Sequence, residues 1–466
     1  MRTRSGSLLL AIVLLAAPSV PPDARGAAGA PHSRSEAGPV ERSIDRAFSR
    51  EDLRADFLQV RRVLEETHPA VYGFTPKADF ERLADELLGR IDGPKTAAEF
   101  FRLAAPLVAA VGCGHTRLWL PGNYGEDAPP RFFPLRLRFV GGRAYVVGSP
   151  EAAAGLEPGS EILAISGRSL ADIFAELKVL VSSDGFNDGA RTAFISRTFP
   201  LLCSVQFGFP DAYVVEARPA GGPKPVTVRL PTVALASLSA ARGSGSGPTS
   251  SGDPNLDLRI LPGKPPAAVL MIRSFSYYQQ VVKFKRFIDE SFDRINRAGV
   301  RHLILDLRGN GGGDPFCSTH LLSYLEPKAV PYFARFYPGY ERFALPIPRA
   351  GGAFDGRLLT LIDAGCFSST GHFCALLKFH KIGTFIGAET GATYECNDNS
   401  REVVLERTRL RLNCARTTYT VAVQGLPRYR GIIPDTVVEP DIADIIAGRD
   451  PVMDRALSLI AEDGSI

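Results

Sequence analysis

The chain has 466 residues, and 45% of them are hydrophobic. A chain of this length can bury a large core but exceeds what one core usually supports, so two or three domains are expected. Its 54 basic and 50 acidic residues are mixed along the sequence and give a formal net charge of +4. Because no basic run is interleaved with aromatic residues, nucleic acid is not an expected partner.

The first residues have the layout of a secretory signal peptide. Arginines at positions 2 and 4 precede an apolar run over 8–17, and Pro-rich and Ala-rich sequence follows. That run is too short to span a bilayer, so no membrane span is expected. We predict that 1–27 is a signal peptide, that 28–48 is a flexible N-terminus, and that the mature protein is secreted or periplasmic.

Two units are predicted in the first half of the chain. From 49 to 130, apolar residues such as Phe57 and Leu64 recur at helical spacing, which predicts a helical subdomain that ends in a Gly-His-Thr turn. From 131 to 238 the pattern changes to short alternating strands, which predicts a separate β-rich module. Within this module, the sequence of 154–167 resembles a PDZ domain.

The second half follows a segment rich in Gly and Ser, 239–256, which has the composition of a flexible linker or loop. Beyond it, over 257–446, strand patterns alternate with helix patterns. Such alternation predicts an α/β core with a largely parallel sheet, so the expected fold class is α/β, in an α+β multidomain arrangement. A C-terminal helix is predicted over 447–466.

A cluster of small polar residues, Ser368, Ser369 and Thr370, stands between a buried-strand pattern and a helix pattern. At such a junction a side chain projects from the edge of the sheet, and the next backbone amides point toward the helix start. Acyl transfer needs this geometry, and either serine could be a nucleophile. The competing interpretation is a helix cap, which small polar residues at a helix start more often provide.

A histidine and a run of glycines offer the other parts of such chemistry. His115 follows Gly114 at a tight turn, which gives a general base the access it needs, and His68 in Thr-His-Pro is the competing candidate. Residues 309–313 read Gly-Asn-Gly-Gly-Gly, and amides without a neighbouring β-carbon can approach a developing oxyanion. The segment matches neither a Walker-type phosphate loop nor the dinucleotide fingerprint.

Taken in order, these motifs resemble the C-terminal processing peptidases, a family of serine peptidases, and most of all its tricorn-like branch. The resemblance spans about 49–446. It implies a serine peptidase that hydrolyses peptide bonds in peptide or protein substrates. It rests on Gly-His-Thr-Arg-Leu, the PDZ-like string, Asp-Leu-Arg-Gly-Asn-Gly-Gly-Gly, Phe-Ser-Ser, Ile-Gly-Ala-Glu-Thr-Gly and Gly-Ile-Ile-Pro-Asp.

By position, the resemblance implies a role for each candidate residue. Ser368, favoured over its neighbour Ser369, attacks the substrate carbonyl, and His115 is its base. The oxyanion hole combines the amide of Ser369 with an amide of the glycine loop. That second amide belongs to Gly311 or Gly312, and Gly312 is ranked slightly ahead.

Two parts of the family's machinery have no counterpart at the matching positions. The lysine of the processing-peptidase branch would fall near Thr393, so a serine–lysine pair is disfavoured. The glutamate that orients the tricorn-like histidine aligns with Arg428 or Tyr429, and Cys113 replaces the usual acid before Gly-His. Loss of an orienting carboxylate can lower the rate by several orders of magnitude. The remaining candidates for this role are a backbone carbonyl or one of three carboxylates: Asp435, Glu402 and Glu406.

Other charged and sulfur-bearing residues receive structural interpretations. Asp306 and Arg308 are expected to pair with each other's neighbours and so hold the glycine loop, and a catalytic role is the less favoured interpretation. Seven cysteines are an odd number for an oxidising compartment. Cys396 and Cys414, on what are predicted to be adjacent strands of a hairpin, are the two placed to bridge, and whether they do so is left open.

No metal or organic cofactor is expected, because the sequence has neither a His-Glu-x-x-His helix nor a paired Cys-x-x-Cys. The alternative to a peptidase is a non-catalytic ligand-binding or peptide-binding protein on the same scaffold. Hydrolysis of a non-peptide ester is a third, weaker interpretation.

Overall fold

The computed structural model describes residues 44–122, 124, 131–149, 155–234, 237–238, 251–263 and 266–463. The predicted signal peptide, most of the predicted N-terminal tail and residues 239–250 of the predicted linker lie outside the described residues. Across the described ranges, no helix combines the length and the apolar character that crossing a bilayer requires.

Helices and a short pairing of two strands form the N-terminal unit. The Ser49 hydroxyl accepts a hydrogen bond from the Asp52 amide and so caps the first helix, and Thr96 and Glu99 form a capping box on the third. Buried apolar residues such as Phe57 face inward between the helices. The elements are β1 (Ala47–Phe48), α1 (Arg50–Thr67), α2 (Lys77–Gly89), β2 (Lys95–Thr96) and α3 (Ala97–Ala110).

An antiparallel sheet with two helices follows. Its strands lie in the order β10-β9-β7-β6-β5, with β8 paired to β7, and one hydrophobic cluster joins its inner face to the N-terminal helices. A smaller pairing links β4 (Arg131–Phe132) and β11 (Val233–Ala234). The elements of the larger sheet and its helices are β5 (Arg136–Val140), β6 (Arg143–Gly148), β7 (Glu161–Ile165), β8 (Arg168–Ser169), α4 (Leu170–Leu180), α5 (Asp188–Phe207), β9 (Ala212–Arg218) and β10 (Val226–Pro231).

The second half is built on a sheet with the strand order β12-β13-β14-β15-β16-β21. The first pair is antiparallel and every later pair is parallel, and helices α6, α7 and α8 connect successive parallel strands. The predicted α/β class with a largely parallel sheet is confirmed. The elements are β12 (Leu256–Leu261), β13 (Ala267–Ile272), α6 (Val281–Arg297), β14 (His302–Asp306), α7 (Pro315–Leu325), β15 (Arg357–Ile362), α8 (Ser369–Phe379), β16 (Thr384–Gly387) and β21 (Thr436–Val437).

Both faces of this sheet are covered, which explains why its central strands read as continuous apolar runs. On β14, Leu303 and Leu305 pack under the connecting helices, whereas Ile304 packs on the opposite face. That opposite face is covered by α10 (Pro451–Asp463), which follows the short α9 (Ile442–Ala447). All five residues of β14 are buried, so the strand fixes the position of the loop that leaves its end.

Short strands between β16 and β21 tie the two halves of the molecule together. Strand β3 (Arg117–Trp119) pairs with β19 (Arg411–Cys414), and β19 pairs with β18 (Arg401–Val404). Asp56 on α1 adds a second tie, because its carboxylate accepts hydrogen bonds from the Thr408 amide at 2.7 Å and the Thr408 hydroxyl at 2.6 Å. These contacts place the residues just before β3, which include His115, next to the α/β core.

The structure does not contain the candidate disulfide. Cys396 lies on β17 (Glu395–Asp398), which pairs with β20 (Thr417–Thr420), whereas Cys414 lies on β19 in a different sheet. The two strands are not adjacent, contrary to the prediction, because the chain between them forms a separate hairpin. All seven cysteines are free and buried.

Candidate active site

Two loops meet at the carboxyl end of the parallel sheet, where neighbouring strands β14 and β15 both stop. The glycine loop leaves β14, and the segment that leads to Ser368 leaves β15. The Phe367 amide donates a hydrogen bond to the Asn310 carbonyl at 3.0 Å, which fastens the second loop to the first. Ligand sites in α/β sheets form at this edge, because loops from adjacent strands converge there.

Ser368 has a backbone conformation that side-chain-bearing residues rarely adopt. It precedes α8 with φ 55° and ψ −128°, and its side chain makes no capping hydrogen bond. The helix-cap interpretation of this serine is therefore wrong. A non-glycine residue held at positive φ is strained by about 1–3 kcal/mol, and here the sharp turn between strand and helix leaves the hydroxyl pointing away from the helix end.

Gly312 lies against this serine. A β-carbon on Gly312 would stand 2.6 Å from the Phe367 carbonyl oxygen and 2.7 Å from the Ser368 β-carbon, and its φ is +89°. No other residue type fits both the space and the backbone angle. The glycine at this position is what lets the loop reach the serine.

The amides of the two loops differ in their hydrogen bonding. The Gly312 amide donates to the Asn310 side-chain oxygen at 2.9 Å, so it is already engaged. Neither the exposed Gly311 nor Ser369 uses its amide in a hydrogen bond within the described part of the chain. An oxyanion needs a donor that is free to face it, so this bonding favours Gly311, whereas the sequence ranked Gly312 slightly ahead.

The turn that carries His115 is held by side chains from two distant segments and by the nearby Arg117. Asp184 accepts a hydrogen bond from the Gly114 amide at 2.7 Å, and Arg117 donates through Nε to the Gly114 carbonyl at 2.5 Å. Asn413 on β19 donates through Nδ2 to the His115 carbonyl at 2.8 Å. A β-carbon on Gly114 would lie 2.7 Å from the Phe367 ring, so the glycine allows the turn to approach the serine loop.

The imidazole of His115 and the hydroxyl of Ser368 lie within hydrogen-bond distance. His115 Nε2 is 3.1 Å from Ser368 Oγ, and the imidazole stacks on the Phe367 ring at a centroid distance of 4.5 Å. His115 is 8% exposed, so its side chain is almost fully buried. With the proton on Nδ1, Nε2 accepts from the serine hydroxyl, which is the arrangement in which a histidine can remove its proton.

The groups around this imidazole were not predicted. Cys396 Sγ lies 3.5 Å from His115 Nδ1, and Asp398 Oδ2 lies 3.6 Å from Nε2. Burial raises the pKa of the Cys396 thiol well above its usual range, so the neighbour of Nδ1 is a neutral thiol. Burial also raises the pKa of Asp184, against the opposing effect of His115.

None of the three carboxylates proposed to orient His115 contacts it. Asp435 pairs with Lys378 and accepts from the Phe385 amide, and Glu402 pairs with Arg411 at 3.3 Å. Glu406 lies on the hairpin that α1 holds, where its amide donates to Gln59. The prediction failed because these acids were chosen by their distance from a motif along the chain, whereas β17 brings Asp398 to the imidazole.

Residues at the family's other functional positions have different partners here. Arg428 pairs with Glu395 at 3.4 Å, the Tyr429 hydroxyl donates to the Gly73 carbonyl, and the Thr393 hydroxyl donates to the Glu395 carbonyl. None of them contacts His115 in the described structure. The position of the family's orienting glutamate is thus used to hold the loops around the site.

His68, the competing base, is a structural residue at the end of α1. Its Nδ1 accepts a hydrogen bond from the Ala70 amide at 3.2 Å, and burial lowers its pKa to about 4. It has no contact with either serine. A histidine that is buried and neutral in this way supports the chain after the helix rather than exchanging protons with a substrate.

Asp306 and Arg308 hold the glycine loop, as predicted, but they pair with each other as well as with neighbouring residues. The Asp306 carboxylate is bound by Arg273 at 2.8 Å and by Arg308 at 2.8 Å, and Arg308 also pairs with Asp450 at 2.7 Å. These bonds hold the pKa of Asp306 far below its usual range despite burial. The Arg273 guanidinium also donates to the Arg308 carbonyl, so the network fixes the start of the glycine loop.

One cluster of possible metal ligands lies beside the same imidazole. Among the described residues, Cys113, His115 and Asp184 each offer a ligand atom, and these atoms lie within 4.8 Å of one another. This group comes from two distant segments of the chain. Local sequence motifs such as His-Glu-x-x-His and Cys-x-x-Cys therefore cannot reveal it.

Comparisons with known proteins concern the α/β core and the fold. Residues 267–442 match the sequence profile of Peptidase family S41, a range that includes the glycine loop and Ser368 but not His115. A comparison with curated protein sequences gave no match. Among solved structures, mature CPAF is similar with a TM-score of 0.65 and 14% identity, covering 89% of this chain and 97% of CPAF.

Two further structures are more distant. A putative peptidase from Parabacteroides merdae has a TM-score of 0.48 at 14% identity, covering 88% of this chain and 96% of its own. The photosystem II D1 C-terminal processing protease has a TM-score of 0.41 at 15% identity, covering 85% and 96%. At such identities the likeness to CPAF shows a shared fold.

The resemblance inferred from the motifs and the match over the α/β core lead to the same family. That core carries the strained serine and the glycine loop, and the fold extends over nearly the full length of mature CPAF. The chain is a serine-type peptidase, and its core, residues 267–442, is a peptidase family S41 domain.

Proposed function

We propose that this protein hydrolyses peptide bonds with Ser368 as nucleophile and His115 as general base. The observation that carries the proposal is the distance of 3.1 Å between His115 Nε2 and Ser368 Oγ. It falls within the range of about 2.6–3.2 Å that proton transfer requires. The two side chains come from opposite halves of the chain, and each sits on a turn whose close packing needs a glycine, Gly114 and Gly312.

In the proposed reaction, Ser368 Oγ attacks the substrate carbonyl while its proton passes to His115 Nε2. The amides of Gly311 and Ser369 bind the oxyanion of the tetrahedral intermediate. His115 then donates the proton to the leaving amine, and an acyl-enzyme remains on Ser368. Water, deprotonated by the same imidazole, releases the acyl group.

Asp398 contributes to this reaction through its charge. Its carboxylate is partly exposed and lies 3.6 Å from Nε2. The negative charge of this carboxylate stabilises the positively charged imidazolium that forms during attack. At this distance the interaction amounts to about 1–4 kcal/mol, depending on the local dielectric. Because Nδ1 faces the neutral Cys396 thiol rather than a carboxylate, we expect a slower enzyme than one with an orienting acid on Nδ1.

The expected substrates are peptides or proteins that meet the enzyme outside the cytoplasm. This proposal of a secreted or periplasmic enzyme rests on the basic start and the apolar run over 8–17. N-terminal sequencing of the exported protein tests it, and a mature chain that begins near residue 28 is expected. An exported chain that still begins at Met1 would contradict it.

Hydrolysis of an unfolded protein such as casein tests the catalytic proposal. The Ser368→Ala variant should lose activity by about 10⁴-fold or more. The matched control is Ser369→Ala, which keeps the backbone amide and removes a buried hydroxyl that has no partner among the described residues. Its activity should stay close to that of the wild type.

Two outcomes would oppose the proposal. If Ser368→Ala cleaves casein as fast as the wild type, Ser368 is not the nucleophile. If the folded wild type binds peptides without cleaving them or any ester substrate, the chain is a binding protein on a peptidase scaffold.

A further inference from the structure

A thiol, an imidazole and a carboxylate converge behind the proposed catalytic pair. Ligand atoms of Cys113, His115 and Asp184 lie within 4.8 Å of one another. Sulfur, nitrogen and oxygen ligands in this combination suit Zn²⁺ and its softer relative Cd²⁺. The Cys113 thiol gives this set of donors a preference for soft metals.

A second feature favours cation binding at this place. Asp184 is 5% exposed, and its Oδ1 accepts from the Gly114 amide at 2.7 Å, whereas its Oδ2 has no hydrogen-bond partner in the described structure. A buried carboxylate oxygen without a partner is energetically unfavourable. A cation bound to this oxygen would remove that cost.

We propose that Cys113, His115 and Asp184 form a binding site for a thiophilic divalent cation, and that occupation of this site inhibits the peptidase. The three side chains supply three ligands, and water completes a tetrahedron. Bonds of about 2.0–2.3 Å place tetrahedral ligands about 3.3–3.8 Å apart, so the side chains must close by about 1 Å. On binding, the thiol releases its proton to solvent and no group is oxidised or reduced.

Inhibition follows from the sharing of one imidazole, and this part rests on the proposed function. A cation on Nε2 takes the lone pair that would accept the Ser368 proton. A cation on Nδ1 places positive charge beside the imidazole and opposes the formation of imidazolium. Either coordination mode therefore slows attack by Ser368.

Binding is tested with Cd²⁺ and the full-length, reduced protein, because cadmium thiolates absorb in the ultraviolet. The wild type should show a saturable absorption at one equivalent, and Cys113→Ala should lose it. Asp184→Asn, which keeps an acceptor for the Gly114 amide, should weaken binding on the order of 10–100-fold. The control is Cys317→Ala, which removes another buried thiol on α7 and should bind Cd²⁺ like the wild type.

Several outcomes would overturn the site. One is the absence of saturable thiolate absorption in the wild type, and another is undiminished absorption in Cys113→Ala. Loss of absorption in Cys396→Ala with full binding in Cys113→Ala would show that the neighbouring thiol on β17 is the ligand instead. Circular dichroism and a Cys113→Ser variant guard against loss of binding through misfolding.

The inhibitory effect is measured as the rate of covalent labelling by a fluorophosphonate with and without Zn²⁺. Labelling of the wild type should slow at least about tenfold at saturating Zn²⁺ and recover with a chelator. The ratio of the two rates should approach one in Cys113→Ala. If Cd²⁺ binds as expected but Zn²⁺ leaves labelling unchanged, the inhibitory role is wrong. If no labelling occurs even without metal, the proposed catalytic function is wrong. The Cd²⁺ titration remains a valid test of the metal site in that case.

Discussion

The surroundings of Ser368 and those of His115 are built in different ways. Ser368 sits where one central strand passes into a helix, and its neighbour Gly312 comes from the adjacent parallel strand. His115 sits on a turn outside the sheet, held by Asp184 and Asn413 from segments far away in the chain. The proposed nucleophile is thus positioned by secondary structure, and the proposed base is positioned by side-chain contacts.

This difference parallels the reach of the family match, which includes the glycine loop and Ser368 but not His115. A strained turn between strand and helix tolerates few substitutions, because backbone angles and close approaches fix its residue types. A histidine held by scattered side chains can exchange its partners while the ring stays in place. Here a thiol faces Nδ1 and a carboxylate, Asp398, lies near Nε2.

The largest effect is expected from removal of the base. His115→Ala should lower kcat for peptide hydrolysis by about 10⁴–10⁶-fold, because Ser368 then has no group to accept its proton. The matched control is His68→Asn, which retains an acceptor for the Ala70 amide and should keep near wild-type activity. A reversed order, with His68→Asn inactive and His115→Ala active, would move the base to the end of α1.

Two adjacent glycines test the region of the nucleophile. Gly312→Ala should lower kcat by about 10²-fold or more, because the added β-carbon collides with the Phe367 carbonyl and the Ser368 β-carbon and displaces the reacting groups. A β-carbon at Gly311 would meet nothing within 4 Å, so Gly311→Ala keeps its amide and should stay within a fewfold of the wild type. Equal kinetics for the two variants would contradict the close approach at Gly312.

Acid stability tests the helical unit from which the His115 turn emerges. Burial lowers the pKa of His68 from 6.5 to about 4, so the unfolded chain binds an additional proton between these pH values. Stability should therefore fall as the pH drops from 6.5 to about 4, by ~1.4 kcal/mol per pH unit from this group. Urea unfolding of His68→Asn across this range should show a shallower dependence. An unchanged slope would mean that His68 is protonated in the folded state.

The smallest effect is expected at Asp398. Asp398→Asn should lower kcat by about tenfold, because the carboxylate near Nε2 no longer favours the imidazolium. Since Asp398 is partly exposed, the difference from the wild type should shrink in high salt. Steady-state kinetics at low and high ionic strength measure it, and an effect independent of salt would indicate a structural role.

The same contrast between the two regions determines which features could be predicted from the sequence. The α/β core, the glycine loop and the place of Ser368 between a strand and a helix were predictable, because buried strands such as β14 read as apolar runs and turn residues follow them directly. Which amide of the glycine loop is free could not be predicted, since this depends on where the Asn310 side chain points. The proximity of Asp184 and Asp398 to His115 was also beyond prediction, because three segments without a shared motif converge only in the folded protein.

The most direct test of the central claim is covalent labelling by a fluorophosphonate, followed by mass spectrometric mapping of the modified peptide. We predict a single adduct on Ser368 that is absent in Ser368→Ala and forms far more slowly in His115→Ala. An adduct on Ser369, or labelling that persists in Ser368→Ala, would contradict the assignment of nucleophile and base.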